Sequence, residues 1–188
     1  MLWPGPLPAQ TVSASTLQLS GLTNAVLTSG VFPGEGATGG FSSVALGLEA
    51  SYFLAPNISF GGLFGYQRLS LASDTPDSRP RVSTGYYGPV LHLRRPLDDR
   101  SAFVLTASMG GVQAALLNQR VDLGETLTAT GLGRYWMAGG GLSVRLVPGA
   151  TVDVGARYQS SVFRVPGQAI RRSSAGILLS VGFSLYIP

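Results

Sequence analysis

Acid–base, nucleophilic or metal chemistry needs imidazole, thiolate, amine or carboxylate groups brought together, and this 188-residue chain is poor in them. It has one histidine, His92, and no cysteine. Thiolate nucleophiles and disulfides are therefore excluded, and no metal centre is expected. All 13 basic residues are arginine, which removes Schiff-base chemistry and the phosphate-binding loop that ends in lysine. The polar groups that remain stand singly within otherwise small or apolar segments: Glu49, Gln67, His92 (in Leu91-His92-Leu93-Arg94), Arg145, Asp153 and Arg157. A hydrolase needs a base beside its nucleophile. A lone histidine of this kind reads more simply as a hydrogen-bonding residue, so no catalysis and no cofactor are expected. The arginines are scattered rather than interleaved with aromatics, which argues against a nucleic-acid partner.

Every one of these residues lies on a segment that alternates. In Thr151-Val152-Asp153-Val154-Gly155-Ala156-Arg157-Tyr158-Gln159, the valines, Ala156 and Tyr158 share one side, while Asp153, Gly155, Arg157 and Gln159 share the other. Successive side chains of a strand face opposite ways, so each such segment carries an apolar wall and a polar wall. The same pattern predicts strands over about 11–22, 41–54, 58–69, 82–94, 101–113, 132–146 and 174–187, with Leu63 turned to the polar side. Pro89 interrupts the fourth of them, where a bulge is expected. Tight turns are predicted at 55–57, 95–100 and 147–150, and long polar loops at 23–40, 70–81, 114–129 and 163–173. Residues 1–10 read as a leader or the remnant of a signal peptide, and residues 11–188 as one barrel domain.

Which wall faces outward decides the function. Charged residues make up only 12% of the chain, about half the usual share, yet no apolar run reaches the roughly 18 residues of a membrane helix. The polar row is mostly Gly, Ala and Ser, a poor face for water but a suitable lining for a narrow lumen. The apolar row carries no charge across its middle, as a lipid face requires, since a charge there costs about 2–4 kcal/mol. Tyr66, Tyr87, Trp136 and Tyr158 fall toward the long-loop end, and Tyr52, Phe60, Phe103 and Phe183 toward the short-turn end. Two aromatic belts and alternating short and long connections fit an eight-stranded antiparallel up-and-down transmembrane β-barrel. The soluble rival is a lipocalin-like carrier with a greasy interior.

The stretch Gly-Gly-Gly-Leu-Ser-Val-Arg-Leu-Val-Pro-Gly-Ala-Thr-Val-Asp-Val-Gly-Ala-Arg-Tyr (139–158) resembles the penultimate hairpin of small outer-membrane barrels of the OmpA/OmpX/opacity-protein type. Val181-Gly182-Phe183-Ser184-Leu185-Tyr186 is similar to their closing strand, although the chain ends Ile187-Pro188 where that family usually ends on an aromatic residue. The resemblance implies a monomer in a bacterial outer membrane, with the barrel-assembly machinery and lipopolysaccharide as partners and a structural or surface-interaction role. Some barrels of this size act on lipid A acyl chains; the deacylases carry His-x-Ser on the outer surface, whereas Arg94 stands two residues after His92. Inside the lumen, Glu49, Gln67, His92, Arg145, Asp153 and Arg157 are expected to pair as a plug, the alternative being a narrow pore for small or apolar solutes that the interior Gly and Ser would leave open. Arg68, Arg134, Arg171 and Arg172 are candidate contacts for lipopolysaccharide phosphates.

Overall fold

The computed structural model describes residues 12–28, 41–70, 78–120, 124–164 and 171–188. They form eight strands: β1 (Leu17–Thr28), β2 (Phe41–Ala55), β3 (Ile58–Ser70), β4 (Ser78–Pro96), β5 (Ser101–Arg120), β6 (Gly124–Val147), β7 (Ala150–Arg164) and β8 (Arg171–Ile187). Each pairs antiparallel with its sequence neighbours, and β1 pairs with β8 to close the barrel. No helix among the described residues is long and apolar enough to cross a membrane. Closure removes the exposed edges that an open sheet would leave.

The apolar row faces outward. Leu46 and Val154 are each 54% exposed and Leu179 is 46% exposed, whereas Glu49 is 5% exposed. All eight belt aromatics are exposed too. This is the reverse of a lipocalin-like cup, whose greasy side would point inward.

The stagger of the strands follows from the pairing. The register runs from Leu22 through Gly47, Gly65, Tyr86, Val112, Gly133 and Phe163 to Arg172. Leu22 itself pairs on β8 with Gly182, ten residues further on. That offset tilts the strands strongly, and for eight strands it leaves an interior just wide enough for side chains.

Three expectations change. The stretch 114–129 is not a loop: β5 continues to Arg120 and β6 begins at Gly124, with Leu117, Asn118 and Gln119 paired to Leu127, Thr126 and Glu125. Polar residues do not stop a ladder, and the threonines of this stretch favour strand. The other long connections shorten likewise, because β1 runs to Thr28, β4 starts at Ser78, and β7 and β8 reach Arg164 and Arg171. Pro89 causes no bulge. It stays paired with Gly62 on β3, and pairing with β5 skips Gly88 and Pro89 without changing register. The Ser108 hydroxyl donates to the Pro89 carbonyl at 2.8 Å, which satisfies that acceptor where the β4–β5 ladder skips it. The register shifts lie elsewhere, at Phe53/Ala55, Leu116/Leu117 and Arg145/Val147.

The short turns explain themselves. Asn57 (φ 66°) and Gly149 (φ 81°) take the left-handed conformation that lets a chain reverse tightly, and these residue types adopt it at least cost. In the third turn, Asp98 accepts from the backbone N–H groups of Arg100 (2.8 Å) and Ser101 (2.6 Å) and from the Ser101 hydroxyl (2.6 Å). The leader assigned to residues 1–10 lies outside the described residues.

Candidate functional site

The lumen has a charged lower half, toward the short turns, and an upper half where a large apolar cluster is interleaved with buried neutral polar residues such as Gln67, Thr84 and Gln159. The lower half is built on Glu49. Its Oε1 lies 2.5 Å from Arg157 Nη1, and its Oε2 lies 3.3 Å from His92 Nε2, a close approach outside hydrogen-bonding geometry. His92 Nδ1 shares a hydrogen bond of 3.0 Å with the Thr106 hydroxyl. Strands β2, β4, β5 and β7 each supply one member, and the barrel's stagger brings them together across 108 residues of sequence. Desolvating a charge costs several kcal/mol unless it is paired, so the Glu49–Arg157 contact is what makes either tolerable there.

Asp153 is held differently, by the hydroxyls of Thr151 (3.2 Å, to Oδ1) and Ser184 (to Oδ2). Ser184 also bonds Ser20 (2.8 Å) and accepts from Gln18 Nε2 (3.2 Å). These groups line a cavity of about 50 Å³, room for a few waters. Arg145 does not join them. It sits at the short-turn rim, donating from Nη2 to the Asp99 carbonyl. Gln67 is buried too, but on the upper part of β3, opposite Ala45 and Thr84.

Sequence reasoning missed the floor and the roof. The floor is Arg94, buried, whose Nη1 donates to Tyr186 Oη at 2.6 Å and Ser143 Oγ at 3.3 Å. Its guanidinium carbon lies 5.4 Å from the Tyr186 ring centre, within reach of a cation–π contact. The roof is an apolar cluster of Leu63, Tyr86, Val90, Val112, Ala114, Tyr135, Met137 and Phe163. Tyr86 and Tyr135 meet edge to face at 5.5 Å, and the Tyr135 hydroxyl is tied to Ser108 at 2.8 Å. Strand parity was the available signal, since Arg94 and Tyr86 lie on the same row as His92.

The interior glycines do not leave a bore. A Cβ at Gly65 would stand 2.1 Å from Cζ of Tyr86, so that ring already occupies the space. Leu22 likewise lies over Gly47 and Gly182, and Phe163 over Gly131 and Gly133. Alternating small and large residues across facing strands is how a small barrel fills its interior.

No family model and no curated protein matches the sequence. Solved structures do match. Neisserial surface protein A (NspA) superposes with a TM-score of 0.59 at 15% identity, over 90% of this chain and 96% of its own. The outer membrane protein OprG from Pseudomonas aeruginosa gives 0.52 at 12% identity, over 96% and 99%. The fold is that of the small eight-stranded outer-membrane barrels. Such low identities carry the architecture and not the role, so the barrel's function has to be read from its own residues.

Among those, Glu49, His92 and Thr106 stand in the order acid, imidazole, hydroxyl. The hydroxyl is buried and the adjoining cavity, about 50 Å³, is too small for an ester substrate, so the geometry offers a reacting group no substrate position. No group of three or more metal-ligating side chains occurs among the described residues. Arg68, two residues from the end of β3, and Arg134, well inside β6, are both exposed. The side chains of Arg171 and Arg172 lie outside the described residues.

Proposed function

We propose that this chain is a monomeric bacterial outer-membrane barrel with a sealed lumen, acting structurally or through its outer surface, without catalysis. The observation that carries the reading is the roof of Tyr86, Tyr135, Met137 and Phe163 above a chamber of about 50 Å³. Solute crossing would require those side chains to move. The exposed apolar belt supports the membrane location, because contiguous apolar surface on this scale is not left in water. Lipid, lipopolysaccharide among it, and the barrel-assembly machinery are the partners the reading calls for.

The second reading is a narrow pore, and the charged lower chamber favours it, since a purely structural filling could be apolar throughout. Planar-bilayer recording of refolded protein separates the two. The sealed barrel is silent, and Tyr86→Ala gives discrete openings by removing part of the roof. Steady conductance from the unaltered protein would replace the first reading with the second.

A further inference from the structure

We infer that the outer face of the β6–β7 hairpin is a binding site for a phosphate-bearing lipid headgroup, a site that rests on the membrane reading above and specifies a partner for it. Arg134 faces Val162 and Leu132 faces Arg164 in the register. Arg134 and Arg164 are therefore diagonal neighbours on one face, roughly 7–8 Å apart at the backbone, close enough for two guanidinium groups to converge on one phosphate. Both are exposed, and neither has an acidic partner among the described residues.

Two residues along β6 from Arg134 lies Trp136, and its ring meets that of Tyr158 at 5.2 Å. Tyr158 is on β7, six residues from Arg164 on the same face. Exposed Trp and Tyr mark the depth at which hydrocarbon gives way to headgroups. The two arginines stand just beyond that line, where a lipid phosphate is found, each opposite an exposed apolar residue, Val162 beside Arg134 and Leu132 beside Arg164. Arginine suits the task because its planar fork matches phosphate oxygens in pairs and it is weakly hydrated.

The sequence has two tryptophans, so Trp3→Phe leaves Trp136 as the sole reporter, beside the site. The variant is refolded into phosphatidylcholine vesicles containing chain-brominated phosphatidic acid or chain-brominated phosphatidylcholine, and quenching of Trp136 is titrated. Both lipids should quench, with phosphatidic acid preferred at least about fivefold, as two arginines near an anionic headgroup warrant. Arg134→Gln with Arg164→Gln should bring the preference to about one. Arg95→Gln, exposed at the short-turn end of β4, should leave it in place and so separate a local site from the general charge of the protein. An excess of inorganic phosphate should not compete.

Equal quenching by the two lipids, or loss of preference in Arg95→Gln as large as in the double variant, overturns the site while leaving the membrane reading intact. Competition by inorganic phosphate overturns the lipid as its occupant. Absence of quenching by either lipid removes the membrane reading and the site with it.

Discussion

Replacing Glu49 with Ala should be among the most damaging single changes in the barrel. The carboxylate side chain is 2% exposed, 2.5 Å from Arg157 and 3.3 Å from His92. Truncation leaves the Arg157 guanidinium buried without its counter-charge, a loss that costs about 3–5 kcal/mol when one partner of a buried pair is removed. With a urea dependence of about 2 kcal/mol per molar, that lowers the unfolding midpoint by about 1.5–2.5 M. Arg157→Met should cost a similar amount by stranding Glu49. The double variant removes both charges together and should cost well under the sum, with a coupling of at least about 2 kcal/mol. Urea titration of the refolded protein in vesicles, followed by Trp136 fluorescence, reads all three. If Glu49→Ala costs under about 1 kcal/mol and the two changes add, water reaches the pair freely and the account of the chamber as a desolvated charge cluster is refuted.

Three further outcomes follow from other parts of the wall and lumen. Gly65→Ala forces the Tyr86 ring off its seat and should destabilise by about 1–3 kcal/mol as overpacking; an unchanged urea midpoint would mean the ring is not seated there. Leu48→Arg puts a charge midway between the Tyr66 and Tyr52 levels of the exposed wall and should cost about 2–4 kcal/mol in vesicles, whereas no penalty would argue against lipid contact at that depth. Asp98, in the β4–β5 turn, has its carboxyl held below the usual range by the Ser101 hydroxyl and the Arg100 and Ser101 backbone N–H groups. A depressed carboxyl contributes stability above its unfolded value of about 4 and loses it as pH falls through the folded value. The stability difference between the parent and Asp98→Asn should therefore be full at neutral pH and fade below about pH 4; a difference that persists in strong acid would point away from the charged form.

The outer wall was legible in the sequence because it obeys a rule of period two and a prohibition. Leu46, Val154 and Leu179 alternate with small or polar residues, and charge is missing from the middle of their row, so a single parity choice places them all. The interior was legible only as membership. Parity puts His92, Arg94 and Tyr86 inside, but nothing local in the chain brings Glu49 to Arg157, whose meeting depends on the stagger of the four strands between β2 and β7. Nor does local sequence show that Asp153 is satisfied by Ser184 and Thr151 rather than by Arg145, which the bulge at Arg145/Val147 and the Asp99 carbonyl hold at the rim. Strand length also escaped, because polar threonine- and glutamine-containing stretches pair above the aromatic belt as well as within it.

Whether the lumen is a bore or a plug turns on register more than on composition. A one-residue slip would throw every apolar side chain inward, and the hydrophobic pattern forbids it. A two-residue slip keeps every side chain on its own face, so patterning alone cannot penalise it. What penalises it is the lumen. Tyr86 lies opposite Gly65; shifting β4 by two residues along β3 would set its ring against Leu63 or Gln67, both already inside. The glycines are therefore the sockets that fix which residue stands beside which, and the roof they seat is the same structure that closes the barrel. The residues that made an open pore conceivable from composition are, in their actual register, the ones that shut it.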